Sequence, residues 1–141
     1  MNTKDILKKA ITHVLTQGIQ ATDLNGVCQY KTAKEGKVLR CAVGGLISDD
    51  NYTSSLENHS ISSLSGEMNA YAGDIVKAVN QSLGITLNSK VILYLRHIQS
   101  AHDSPVRQED EFIDSFKDKI VNYVGLGHLP EYTLEFLKES K

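Results

Sequence analysis

VCQYKTAKEGKVLRCAV, residues 27–43, is the stretch whose reading decides the fold. Val27, Tyr30, Val38 and Leu39 favour extended backbone, and Gly36 supplies a turn residue between two short runs. The expectation is a hairpin with strands over 27–31 and 37–43 around the polar loop 32–36. If Lys31 pairs near Lys37 or Val38, Cys28 faces Arg40 or Cys41. Directly opposed side chains lie about 4.5–5.5 Å apart at Cβ.

Helical patterns flank this ribbon. Before it, Ile6, Leu7, Ile11, Val14 and Leu15 recur at helical spacing over 3–17, with Thr3 as N-cap and Gly18 just past the end. Residues 19–26 form a connector that ends in the turn dipeptide Asn25-Gly26. After the hairpin, 42–47 reads either as a short buried helical turn or as a bent strand end. There Gly44-Gly45 permits close backbone approach. Residues 53–66 are Ser-rich and read as a long loop. Three helices are expected next: 67–83, carrying Met68, Ala72, Ile75, Val76 and Val79; 89–102, capped by Asn88; and 108–124, carrying Phe112, Phe116 and Ile120. A short helix running from Pro130 through Leu137 closes the chain. Helix 89–102 is apolar nearly all round, which marks it as central and leaves the other helices or a second subunit to cover it, as in a homo-oligomer. The order predicts an α+β class: a mostly helical single domain, 1–141, with one short β-hairpin packed on a helix bundle.

Composition narrows the function classes. The 141 residues carry 15 basic and 17 acidic side chains, for a net charge of -2. Residues 1–40 hold +4 and 41–141 hold -6. With a pI near 6.2, there is no broad basic stripe for general nucleic-acid binding. No apolar run reaches the roughly 20 residues of a membrane span, and no secretory signal is visible. The expectation is therefore a cytoplasmic protein, with no membrane partner. Two Cys are too few for a disulfide scaffold, and no second Cys pair or His-x3-His completes a zinc site. No dinucleotide, P-loop, GxSxG or HExxH motif occurs, and no cofactor or metal is expected.

Three constellations remain. Cys28 and Cys41 are buried small hydrophobes, a metal or redox pair, or the source of a nucleophile. Gln99, His102 and Asp103 cluster at the end of helix 89–102, either as a hydrogen-bonded helix end or as a base with its orienting partners. Asp49 and Asp50, before Tyr52, favour a turn over a Mg²⁺ site.

These residues also carry a resemblance. Cys28-Gln-Tyr30, then Arg40-Cys41-Ala-Val-Gly44-Gly-Leu-Ile47-Ser-Asp49-Asp-Asn-Tyr52, then Gln99-Ser-Ala-His102-Asp103 resemble a family of small proteins frequent in phages and prophages. The resemblance spans about residues 5–125. Gly45 stands where the common form has a third Cys, and Ser48 where it has Pro. The motifs mark the family rather than an activity. The resemblance implies an accessory protein that binds a host protein or a small anionic signalling molecule, as in countering host defence. Tyr30, Arg40, Asp49, Tyr52, Gln99 and His102 are the expected ligand contacts, and Arg40 suits a carboxylate or phosphate. The alternative is a Cys–His hydrolase or acyltransferase, with Cys41 as nucleophile, His102 as base and Asp103 as its orienter.

Overall fold

The computed structural model describes residues 1–22, 28–34, 36–58 and 70–139. Asn25-Gly26, His59, Met68 and most of the Ser-rich segment lie outside these. Among the described residues are five α-helices: α1 (Thr3–Gln17), α2 (Ala70–Leu83), α3 (Ser89–Asp103), α4 (Phe112–Gly125) and α5 (Thr133–Glu139). One antiparallel hairpin, β1 (Lys31–Lys34) and β2 (Lys37–Arg40), lies between α1 and α2. The mostly helical α+β class holds. No described helix is long and apolar enough to cross a membrane.

Helix α1 forms where its apolar spacing puts Ile6, Leu7, Ala10, Ile11, Val14 and Leu15 on one buried face. Its cap is Asn2, not Thr3. The Asn2 side chain accepts from the Asp5 N–H at 2.8 Å, and the Asp5 carboxylate takes the Asn2 N–H in return. Helix α1 packs on α3, on α5 and on a short 3₁₀ turn at Gly44–Leu46, so it is the hub of the core. Helix α3 is one-sided. Val91, Leu95, Ile98, Ala101 and His102 are buried, while Leu93 stays 44% exposed and Ile92 and Tyr94 are half-buried. The expectation of an all-round buried rod fails because Ser89, Lys90, Leu93 and Ser100 fall on one exposed face, and apolar content says nothing of which face finds a partner.

The hairpin differs from its expected register. Lys31 pairs with Arg40, and Lys34 with Lys37, so only positions 35 and 36 separate the strands. Gly36 sits at φ 78°, the left-handed conformation that such a tight connection requires. Turn geometry therefore overrides side-chain propensity: the polar run Lys-Thr-Ala-Lys is strand, and Cys41–Val43 has already left it. Cys28 does not oppose Cys41. It forms an isolated bridge with Thr22, and both cysteines carry thiols rather than a disulfide.

The open question at 42–47 resolves as a buried helical turn, and Gly44-Gly45 is the point of close approach. A Cβ at Gly44 would fall inside the Tyr30 carbonyl group, and one at Gly45 would stand 2.5 Å from the His13 ring.

Candidate functional site

The expected site residues fall into two groups, one sealed and one open. The sealed group closes the end of α3. Val43 donates its N–H to Gln99 Oε1 at 3.0 Å, and Gln99 Nε2 donates to Asp103 Oδ1 at 2.8 Å. His102 is 0% exposed; its Nε2 accepts the Ala21 N–H at 3.1 Å, which places the ring proton on Nδ1, where it is donated to Asp103 Oδ1 at 2.7 Å. Gln20 Nε2 donates to the carbonyls of His102 and Ser104, capping the helix end. Two distant loops are thus tied to one helix terminus, with both ring nitrogens of His102 engaged and the Asp103 carboxylate, 39% exposed, at the solvent edge of the network.

This geometry does not favour the Cys–His alternative. A general base needs an available ring lone pair, and the one on His102 Nε2 is held by a backbone amide. Cys41 is fully buried, and burial pushes its thiol up strongly against ionisation, opposed only partly by the Gly44 N–H donated to its sulfur at 3.3 Å. Cys41 is expected to resist alkylation in the folded protein and to react at the ordinary rate once urea unfolds the chain. Mass mapping of iodoacetamide adducts with and without denaturant checks this; native labelling of Cys41 at the unfolded rate contradicts it.

Cys28 Sγ, a His102 ring nitrogen and an Asp103 carboxylate oxygen lie within 4.8 Å of one another, a spacing that a metal could use. The ring does not fit that role. Nδ1 carries the proton given to Asp103, and moving it to Nε2 would set two donors against each other at Ala21. Of the expected ligand contacts, Tyr30, Gln99 and His102 are buried, whereas Arg40, Asp49 and Tyr52 reach the surface.

The open group surrounds Arg40. The Lys31–Arg40 rung is a non-hydrogen-bonded pair, since both N–H groups point outward: Lys31 N–H to Glu57 Oε2 at 3.0 Å and Arg40 N–H to Gln17 Oε1 at 2.9 Å. Gln17 Nε2 and His13 Nε2 both donate to the Arg40 carbonyl. This backbone anchoring aims the guanidinium. Arg40 Nη1 donates to the Ile47 carbonyl at 2.6 Å, and Nη2 pairs with Asp49 Oδ1. Lys31 Nζ reaches the same oxygen at 2.9 Å and sits 5.2 Å over the Tyr52 ring. Tyr52 in turn donates its hydroxyl to Glu57 at 2.5 Å. Burial and the adjacent Glu57 carboxylate both push the Tyr52 hydroxyl up, while Lys31 and then Arg40 hold the Asp49 carboxyl below the usual carboxylate range.

Beside Arg40 and Asp49 opens a cleft of about 310 Å³ whose walls include Lys9 from α1, Ser48, and Ser82 from α2. The sequence pattern singled out Arg40, Asp49 and Tyr52; Arg40 and Asp49 line the cleft, and Tyr52 joins them through Lys31 without lining it. Lys9, Gln17, Glu57 and Ser82 were missed. Lys9 could have been found as the exposed lysine two residues after Leu7 on an amphipathic helix. Glu57 stands in a Ser-rich stretch with no local signal for a role 26 residues away.

His13 also carries a testable property. Its ring is largely buried, and burial lowers its pKa from the ordinary 6.5 despite the hydrogen bond to the Arg40 carbonyl. Above about pH 6.5 the ring is neutral folded and unfolded. As the pH falls, the unfolded chain takes up the proton first, so stability is lost downward from pH 6.5 until the folded ring also titrates. After discounting for the ring's partial exposure, the expected slope is about 0.5 kcal/mol per pH unit. Urea midpoints from pH 7.5 to 5 should fall more steeply for the parent than for His13→Gln, which keeps a donor for Arg40. Equal slopes refute the assignment.

No family model, curated protein or solved structure matches the chain.

Proposed function

We propose that this chain is a non-catalytic binding protein, of the phage-accessory kind that its sequence pattern resembles, and that it captures a small anionic host molecule in the Arg40 cleft. One observation carries the reading: a guanidinium only 19% exposed, held by the Ile47 carbonyl, stands at the wall of an open cleft with a lysine and two serines around it. A planar guanidinium fixed in direction recognises carboxylate or phosphate oxygens with little further ordering cost. The volume is at the small end for a ligand site, which favours a small molecule over a protein surface. Catalysis is not part of the proposal, because the thiol and imidazole an acyl-transfer mechanism needs are both sealed.

The test is ligand-observed NMR with a panel of phosphate- and carboxylate-bearing metabolites. Binding by the parent chain, weakened about tenfold or more in Arg40→Gln, supports the reading. Anion binding that is the same in Arg40→Gln as in the parent overturns it.

A further inference from the structure

We propose that Asp49 is a built-in stand-in for the ligand's own anionic group, and that a doubly charged oxyanion of the phosphate type displaces it from Lys31 and Arg40. The inference rests on the anion-binding reading above and adds the ligand class and the means by which the site is held closed to weaker anions.

The register builds the anion position. In a non-hydrogen-bonded rung the two Cα atoms approach to about 4.5 Å, the closest spacing in an antiparallel ladder. Lys31 and Arg40 occupy that rung, and like charges directly opposed repel. The hairpin therefore demands a negative charge between the two side chains. Asp49 supplies it through a single oxygen, Oδ1, which both cations share.

The cations are held by contacts that do not involve Asp49. Arg40 Nη1 stays on the Ile47 carbonyl, and Lys31 stays over the Tyr52 ring, which Glu57 fixes. Asp49 itself is 71% exposed on a three-residue 3₁₀ turn, Asp49–Asn51. Ion pairs at such exposure are weak, so the carboxylate can swing into water at small cost and leave two oriented donors behind.

A monoanionic carboxylate from solution would only exchange like for like, while paying the entropy of association. A phosphate-type dianion brings twice the charge and enough oxygens to meet Lys31 and Arg40 together, and Lys9 lines the same cleft as Arg40. The Asp49 carboxylate thus acts as a threshold that a phosphate group passes and a carboxylate does not.

The experiment measures inorganic phosphate and acetate binding by calorimetry on the full chain, for the parent, Asp49→Asn, Arg40→Gln and the Asp49→Asn/Arg40→Gln double variant. Asp49→Asn should bind phosphate about five- to tenfold more tightly than the parent, and the double variant should lose that gain. In the unaltered protein, saturating phosphate should shift the Asp49 carboxyl ¹³C resonance and return its titration toward the ordinary carboxylate range, a readout that needs no variant to fold. If the parent binds phosphate through Arg40, but Asp49→Asn binds no more tightly and the Asp49 resonance does not move, the displacement is wrong and the anion cleft stands. If Arg40→Gln binds phosphate as well as the parent does, the underlying reading falls as well.

Discussion

Replacing His102 by Ala is expected to destabilise the protein by about 3–5 kcal/mol. Two costs combine. Removing a wholly buried ring, packed edge-on against Phe112 at 5.4 Å between centroids, leaves a cavity in the core. The Ala21 N–H then loses its acceptor in a place water does not reach, and Asp103 loses its ring donor. For a domain of this size, the melting temperature should fall by roughly 10 °C. His102→Gln should recover part of the loss, because its amide oxygen can still accept from Ala21. Urea unfolding followed by circular dichroism measures both variants. A cost below about 1 kcal/mol for His102→Ala would show that the ring does not tie the connector to α3.

Gly44→Ala should be comparably severe, at about 3 kcal/mol or more. The added methyl meets backbone, the Tyr30 carbonyl, and backbone cannot rotate aside as a side-chain tip can. The hairpin base and the 3₁₀ turn would have to separate, which loosens Val43 from Gln99 at the same time. Gly125→Ala provides the contrast: a Cβ there meets nothing within 4 Å, and the expected change is neutral or slightly stabilising, by about 0.5 kcal/mol. Equal midpoints for the two variants would refute the close-approach account of Gly44.

Helix α1, α3 and its Asn88 cap, α4, and the glycine that ends α1 were legible because each depends on neighbours three or four residues away. The hairpin was legible as an element but not in register. Val and Tyr propensities drew the first strand toward 27–31, whereas the two-residue connection set it at Lys31–Lys34. The site was legible in its residue types and not in its division. Nothing local to Gln99-Ser-Ala-His102-Asp103 says that its donors and acceptors are consumed by Val43 and Ala21, 56 and 81 residues away in sequence. Arg40 and Asp49 are nine residues apart, and their pairing depends on the turns at 41–47, which periodicity could not resolve.

Gln17 and Glu57 flank the base of the ribbon, one on each outer edge, and complete its hydrogen bonding as further strands otherwise would. A two-stranded ribbon on its own is marginal in water and offers two templates for strand-seeking neighbours. With an amide on one flank and a carboxylate on the other, that end of the ribbon has no vacancy for a foreign strand. Crowded copies of this chain therefore have no seam there along which to polymerise, and any growth of fibrils from the native state must start elsewhere.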